Sequence, residues 1–234
     1  MNEVIDFETY LVISNDKFEI YLLDLKNFKN LYKKEFKYQT DLEKIDLNLL
    51  DEFLENNIFS IEKEAGSFVN KINVIIQNKK ILNLDLSVKK KNYSQNISDV
   101  FLKNILTDIK DLFKESYREY KLMHMLINKY IINEESYTSL KDEINSDEIC
   151  LEIKLISISN LVVFEIENIL KKYQIQVINY FDKKYLKDFF KDEQLEISYM
   201  ANKTLNGIND NEVLLTSKNT KKIGFFEKFF QLFS

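Results

Sequence analysis

The chain has 234 residues, a formal net charge of −5, 45% hydrophobic residues and 30% charged residues. This composition is typical of an acidic protein with a hydrophobic core and one or two domains. One cysteine and one histidine exclude a disulfide framework and a structural metal site rich in these residues. Three glycines and no proline exclude most glycine-rich phosphate loops, because each of them needs several glycines close together.

The balance of charge also argues against nucleic-acid binding. The 13 tyrosines and 18 phenylalanines offer surfaces for base stacking, but stacking sites lie beside a basic groove and this chain is acidic overall. We interpret the aromatic residues as core residues. We interpret the lysines at residues 89–91 and 183–184 as solvated ends of secondary structure elements.

Two observations indicate a cytoplasmic protein. No stretch of the sequence approaches the ~20 apolar residues of a membrane-spanning helix. The first residues, which include Glu3 and Asp6, lack the basic start and the apolar run of a secretory signal. We therefore expect the protein to be synthesised and kept in the cytoplasm.

The first third of the chain predicts a β-hairpin, a helix and further strands. The turn residues Asn15 and Asp16 separate two apolar runs, which is the pattern of a hairpin. Further on, apolar residues recur at spacings of three and four, the period of one helical face. The predicted elements are strands over residues 10–14, 18–24 and 31–36, a helix over 47–69 and a buried strand over 72–76.

The middle of the chain predicts strands on either side of two helices. Ser98 and Asp99 are suited to cap an amphipathic helix, and the apolar stretch that follows this helix predicts a central strand. A strand, a helix and a strand then follow in the layout of a crossover between neighbouring strands. The predicted elements are strands over residues 82–88 and 121–133, a helix from residue 99, a strand over 150–158, a helix over 160–173 and a strand over 175–181.

The sequence becomes polar after Phe190. Residues 191–222 are rich in charged residues, Asn and Thr, and such a segment buries too little apolar surface to offset its ordering entropy. We expect a tether that contains at most a short helix over residues 197–205 and a short strand over 213–215.

The C-terminal segment carries the sharpest pattern of the sequence. On a helical projection its large apolar side chains share an arc of about 160°, opposite the polar ones. About ten residues are too few to span a bilayer, so the pattern predicts a helix that lies in the lipid interface beside basic residues. The predicted membrane-binding residues are Phe225, Phe226, Phe229, Phe230, Leu232, Phe233, Lys221, Lys222 and Lys228.

One such helix is a weak anchor, because folding it in water costs part of what burial of its apolar face contributes. Stable residence on a membrane then needs several tails at once, so we expect self-association. The alternative is that the helix packs against the chain's own core or against a partner protein.

The sequence predicts no catalytic, cofactor-binding or metal-binding residue. His124 lies inside an apolar strand, which favours a core histidine over a ligand or a base. Cys150 has no second histidine to activate it, so we expect it to be inert and buried. Acidic residues are too numerous to single out a pair for acid–base chemistry. We expect a protein that is not an enzyme and holds no cofactor or metal.

Taken in order, these elements resemble the bacterial cell-division protein FtsA, an actin-like membrane tether. The apolar run Leu122 to Asn133 is similar to a strand of that family, and residues 150–179 resemble part of its extra subdomain. Residues 50–76 resemble the helix and strand before that subdomain, and Gly224 to Phe233 resembles its membrane-targeting helix. The resemblance implies an α+β, actin-like (ribonuclease-H-like) fragment with the FtsA-type extra subdomain, a polar tether and a C-terminal amphipathic helix.

The sequence also departs from that family. The turn at residues 13–16 lacks the glycine of the family's phosphate turn. The second actin-like half is missing, and with it the other wall of the nucleotide cleft and the docking surface for the ring protein FtsZ. The domains implied are an actin-like subdomain over 1–80, an inserted subdomain over 81–190, a linker over 191–220 and the amphipathic helix over 221–234.

The resemblance implies a truncated, non-catalytic adaptor of cell division, peripheral on the cytoplasmic face of the inner membrane. Its expected partners are the lipid surface, FtsZ or later division-ring proteins, and further copies of itself, but no nucleic acid. Two alternatives stay open. One is a nucleotide-binding, actin-like ATPase, and the other is an actin-like assembly protein of another envelope machine, such as a pilus platform.

Overall fold

The computed structural model describes residues 6–38, 45–140 and 144–213, and the statements below concern these residues. They form two units. The first unit contains the residues up to Ile81 together with Asn160–Thr204, and the second contains Leu82–Ser159 together with the residues from Leu205 onward. In sequence, the second unit is therefore inserted into the first, and the chain returns to the second unit after Thr204.

The described residues contain nine strands and five helices. In chain order they are β1 (Phe7–Ile13), β2 (Lys17–Asp24), β3 (Lys29–Lys37), α1 (Leu47–Ala65), β4 (Lys71–Ile76), β5 (Leu82–Asn96), α2 (Asp99–Ser116), β6 (Tyr120–Ile132), β7 (Glu135–Tyr137), β8 (Asn145–Ser159), α3 (Asn160–Lys172), β9 (Gln176–Asp182), α4 (Lys183–Phe189) and α5 (Ile197–Leu205).

The first unit is built on a five-stranded sheet in the order β3-β2-β1-β4-β9. The first three strands form an antiparallel meander, whereas β1, β4 and β9 run parallel to one another. The central strands are buried on both faces, and Leu11, Ile13 and Val74 have no exposed surface. Continuous apolar runs of this kind are typical of strands that are covered by helices on both sides.

Helix α1 packs on the meander through aromatic contacts. The ring of Phe53 lies 5.9 Å from that of Phe18 and 6.4 Å from that of Phe36. The helix begins after Asp46, whose carboxylate accepts hydrogen bonds from the backbone of the first turn. It ends at Gly66, which has a φ of 68° that favours glycine.

The second unit is an antiparallel sheet in the order β5-β8-β6-β7 with α2 packed on it. Ile105 and Ile109 of α2 join Met125 of β6 and Leu151 and Leu155 of β8 in one apolar cluster. Apolar and polar residues alternate along β5 and β8, because one face of this sheet meets the helix and the other meets solvent.

Most local predictions are confirmed, but the predicted crossover is wrong. Within the described residues, the hairpin, the third strand and the predicted helices and long strands are present, although α1 ends at Ala65 rather than at residue 69 and β5 extends to Asn96 rather than to residue 88. However, β8 belongs to the second sheet and β9 to the first, where it pairs with β4. The connection between the parallel neighbours β4 and β9 therefore contains Leu82–Ser159 of the second unit as well as α3.

The structure also divides the chain differently from the boundaries 1–80, 81–190 and 191–220. Residues 160–204 belong to the first unit, and α5 forms at the predicted 197–205 but packs on that unit. Asn202 donates to Glu8 of β1 at 3.0 Å, Ser198 donates to Asn30 at 2.9 Å, and Met200 is 8% exposed. These contacts explain why this polar segment is ordered, since Ile197, Met200 and Ala201 are buried and the polar side chains of Ser198 and Asn202 find partners on the first unit.

Candidate functional site

The predicted membrane-binding residues lie outside the described residues. This applies to all nine of them, from Lys221 to Phe233, and to the helix predicted over 221–234. Among the helices that are described, none is both long enough and apolar enough to cross a membrane.

A second candidate site lies where parallel strands of the first sheet end. β1 ends at Ile13, β4 at Ile76 and β9 at Asp182, and the pairing register brings these three ends to one edge of the sheet. Ligands of open α/β sheets bind at this carboxyl edge. The turn between β1 and β2, where the sequence lacks the phosphate-turn glycine, lies at the same edge.

The chain's own lysine occupies this turn. Lys183, the first residue of α4, is 5% exposed, and its ammonium group donates to the hydroxyl oxygen of Ser14 at 2.7 Å. The same ammonium group lies 3.6 Å from a carboxylate oxygen of Glu19 on β2. Burial lowers the pKa of Lys183, and the charge of Glu19 offsets part of this decrease.

A second lysine extends a partly buried ionic network around Glu19. Lys17 lies 3.1 Å from Glu19 and 2.7 Å from Glu35, and the hydroxyl of Tyr21 donates to Glu19 at 2.8 Å. Burial opposes the charged form of Lys17, but hydrogen bonds to Glu35 and Glu19 outweigh it and raise the pKa of this lysine. Burial and the hydrogen bond to Glu19 raise the pKa of Tyr21. Lys37 also lies 3.1 Å from Glu35, so three ammonium groups and two carboxylates make up the network.

Backbone groups of the turn also form hydrogen bonds within the chain. The amide of Ser14 donates to the carbonyl oxygen of Lys17 at 3.0 Å, and the hydroxyl of Tyr38 donates to the carbonyl oxygen of Ser14 at 2.7 Å. The amide of Gln77, just after β4, donates to the carbonyl oxygen of Ile13 at 2.9 Å. A phosphate-binding turn instead offers backbone N–H groups to the ligand.

The N-terminus of α4 is satisfied in the same manner. Helix N-termini attract anions through their unpaired N–H groups. Here the carboxylate of Asp182 accepts hydrogen bonds from the amides of Lys184 and Tyr185, each at 3.2 Å. The Lys183 ammonium group, the Ser14 amide and the first turn of α4 are thus engaged by groups of the chain itself, whereas the buried side-chain oxygen of Asn15 has no hydrogen-bond partner. The arrangement fastens β1, β2 and α4 together.

Sequence analysis missed this site because it interpreted Lys183 and Lys184 as solvated. That interpretation holds for Lys184, which is exposed, and is wrong for Lys183, which is buried. A local signal was present: Asp182 is a good cap, and Tyr185, Leu186 and Phe189 follow at helical spacing. A helix that begins directly at the end of a buried strand places its first side chain at the sheet edge.

The remaining singled-out residues lie in the second unit. His124 is 1% exposed and hydrogen-bonded to Glu212, as predicted for a core histidine. Cys150 is a free thiol with intermediate exposure, which is less burial than predicted. Lys89 and Lys90 pair with Glu148 and Asp108 at the surface, in agreement with a solvated strand.

Comparison with known proteins gives matches among solved structures only, since neither a family model nor a curated protein matches the sequence. A chain of the PilM–PilN type IV pilus biogenesis complex is 10% identical over 78% of this chain, with a TM-score of 0.50. The cytoplasmic domain of EpsL, an inner membrane component of the type II secretion system of Vibrio cholerae, is 10% identical over 77%, with a TM-score of 0.37. A Bacteroides thetaiotaomicron protein with an actin-like ATPase fold is 12% identical over 82%, with a TM-score of 0.36.

These likenesses concern the fold alone, and only the first score carries weight. The matches cover 49%, 57% and 59% of the three solved chains, so this chain spans about half of their length. The chain has the mixed α+β architecture that the sequence predicts, and its fold is similar to that of the chain from the PilM–PilN complex.

Proposed function

We propose that the protein is a non-enzymatic, actin-like assembly protein of a membrane-associated envelope machine of the pilus or secretion type. The observation that carries this proposal is the likeness in fold to a chain of the PilM–PilN type IV pilus biogenesis complex, at a TM-score of 0.50. It supports the pilus-platform alternative of the sequence analysis better than the role in cell division. The protein would act by binding other proteins rather than by chemistry.

The contacts of Lys183 at the carboxyl edge of the first sheet support the proposal that the protein is not an enzyme. Lys183 already occupies the turn between β1 and β2, at 2.7 Å from Ser14. A bound phosphate would have to displace this lysine and the Glu19 carboxylate beside it, which bears the same charge as the phosphate. Such a displacement would leave buried charged groups without partners, which costs several kcal/mol. The open alternative of an actin-like ATPase is therefore disfavoured.

Membrane association in this proposal depends on the C-terminal segment. Phe225, Phe226, Phe229, Phe230, Leu232 and Phe233 would enter the interface, and Lys221, Lys222 and Lys228 would meet anionic headgroups. The anchor is weak in one copy, so self-association is part of the proposal. The protein would be peripheral on the cytoplasmic face of the inner membrane.

A second candidate is the FtsA-like adaptor of the division ring. It is favoured by the sequence resemblance of residues 122–133 and of the C-terminal segment to that family. Both candidates share the fold, the membrane helix and a role in assembly. They differ in the proteins that are bound.

Covalent cross-linking in the native cell separates the two candidates. The full chain carries an affinity tag at its N-terminus, and its cross-linked partners are identified by mass spectrometry against a tagged cytoplasmic control. The proposal predicts enrichment of inner-membrane components of a pilus or secretion machine. Enrichment of division-ring proteins instead, together with a septal signal of a fluorescent fusion, would contradict it and support the second candidate.

A further inference from the structure

One edge of β6 is paired in two different ways. The short strand β7 pairs with Tyr130–Ile132 only, which leaves the preceding part of this edge open. The segment after α5 pairs there, since the amide of Ile127 donates to the carbonyl oxygen of Asn211 and the amide of Val213 donates to that of Met125, each at 2.8 Å. Glu212 lies opposite Leu126 in antiparallel register. Residues 211–213 thus form an isolated β-bridge on the edge of β6, outside the nine strands, and we call this segment the added strand.

The added strand is held by a buried carboxylate and by the apolar packing of Val213. Among residues 205–213, Glu212 alone is buried, at 5% exposure, while Val213 is partly exposed and packs against the apolar cluster of the second unit. The Glu212 carboxylate lies 2.7 Å from Nδ1 of His124, whose side chain is 1% exposed. His124 is the only histidine of the chain.

Because the buried side chain is a carboxylate, the stability of this contact depends on the partner of that carboxylate. An apolar side chain would be held there by burial alone, whereas a buried carboxylate is costly unless a partner compensates for its lost hydration. The two backbone hydrogen bonds exchange for bonds to water when the strand leaves, so they contribute only modestly. A turn in which Asn211 donates to the Asn209 side chain and Glu212 to the Asn209 carbonyl, both at 3.0 Å, presents the carboxylate to the imidazole.

From these contacts we infer that residues 209–213 form a latch, a detachable segment that fastens the chain after α5 to the edge of β6 and is closed by the pairing of Glu212 with His124. The latch opens without unfolding of the β5-β8-β6 sheet. Opening exposes the amide of Ile127 and the carbonyl of Met125 on the edge of β6. His124 contributes to this arrangement only through its contact with the Glu212 carboxylate.

Hydrogen exchange of the full chain, followed by mass spectrometry, tests the latch. In Glu212→Ala, peptides that contain Ile127 and Val213 are expected to exchange at least tenfold faster than in the natural protein. The core strand β8 around Leu151–Leu155 is expected to exchange at its natural rate. The matched control is Glu152→Ala, which removes a partly exposed carboxylate that pairs with Lys129 at 3.2 Å on the same sheet. This control is expected to leave the exchange of Ile127 and Val213 unchanged.

Two further variants test whether the pairing itself closes the latch. Glu212→Gln keeps the shape of the side chain and a hydrogen-bonding oxygen, so its exchange is expected to lie between that of the natural protein and that of Glu212→Ala. The double variant His124→Ala/Glu212→Ala is expected to exchange no faster than His124→Ala alone, because the interaction is already lost. Unchanged exchange in Glu212→Ala, equal acceleration in β8, or fully multiplicative effects of the two single variants would overturn the inference.

Discussion

The ammonium group of Lys183 lies 2.7 Å from the hydroxyl oxygen of Ser14, although 169 positions separate the two residues in the sequence. This contact joins the first residue of α4 to the turn between β1 and β2. It places a cation of the chain at the sheet edge where α/β proteins bind their ligands. We proposed above that the protein assembles other proteins and does not hydrolyse nucleotide. That proposal rests on the likeness in fold together with this contact.

Replacement of the buried lysine tests whether it holds the edge together. Lys183→Met is expected to lower the free energy of unfolding by about 2 kcal/mol, because Ser14 loses its donor and Glu19 loses one of its two cations. The loss stays below that of a fully broken buried pair because Lys17 still compensates Glu19. Urea denaturation followed by circular dichroism measures the change.

The neighbouring lysine provides the control for this substitution. Lys184 is exposed on the same helix, so Lys184→Met is expected to change the free energy of unfolding by less than about 0.5 kcal/mol. Equal effects of the two substitutions would contradict the structural role of Lys183.

Helix α5 is predicted to contribute to the stability of the first unit. Met200 of this helix is 8% exposed. Met200→Ala is expected to destabilise the unit by about 2 kcal/mol, at the lower end for such truncations because the helix lies at the periphery. A tether would instead tolerate this substitution as well as it tolerates Lys191→Ala at an exposed position. Thermal unfolding of the two variants distinguishes these outcomes.

Tyr130 is predicted to make stability depend on alkaline pH. Burial raises the pKa of Tyr130 to about 12, whereas an unfolded tyrosine titrates near pH ~10. Between these values the unfolded state releases the proton first, so stability falls as the pH rises, by up to about 1.4 kcal/mol per pH unit. Tyr130→Phe is expected to reduce the loss of stability between pH ~8 and ~11 in urea denaturation.

The control for the alkaline experiment is Tyr93, whose side chain is 78% exposed. In Tyr93→Phe, the difference in the free energy of unfolding between the two pH values is expected to be the same as in the natural protein. The other buried tyrosines, such as Tyr38, contribute equally in both variants and cancel in the comparison. A Tyr130→Phe variant with an unchanged pH dependence would be inconsistent with titration of this residue.

The C-terminal segment is predicted to carry membrane binding. A chain that ends at Lys222 is expected not to float with liposomes that contain anionic lipid, whereas the full chain floats, because the shortened chain lacks all six apolar residues from Phe225 to Phe233. Gln231→Ala, on the polar side of the predicted helix, serves as the control and is expected to float normally. Equal flotation of the shortened and full chains would refute the anchor.

Sequence patterns predicted local structure well because the periods of apolar residues differ between strands and helices. The run around His124 and the helical spacing of Ile105 and Ile109 mark β6 and α2 without any tertiary information. The pairing partner of β9 was missed, since nothing in residues 176–182 indicates whether β4 or β8 lies beside it. Strand pairing over about a hundred residues depends on the whole core.

The candidate site was less predictable than the fold. Lys183 and Lys184 are identical in type and adjacent, and only the position of α4 at the end of β9 makes one buried and the other exposed. The same applies to Glu212, which lies in a polar stretch and becomes buried because His124 is within reach. Buried polar contacts between distant residues leave no periodic pattern in a sequence, so only three-dimensional coordinates reveal them.

Calorimetric titration of the full chain with Mg-ATP tests the central claim most directly. Lys183 donates to Ser14 in the turn, and Asp182 caps the N-terminus of α4. We therefore predict no saturable heat of binding at nucleotide concentrations up to about 1 mM, a dissociation constant that corresponds to about −4.1 kcal/mol of binding free energy. Saturable binding with micromolar affinity, weakened in the Ser14→Leu variant, would contradict the account and revive the actin-like ATPase.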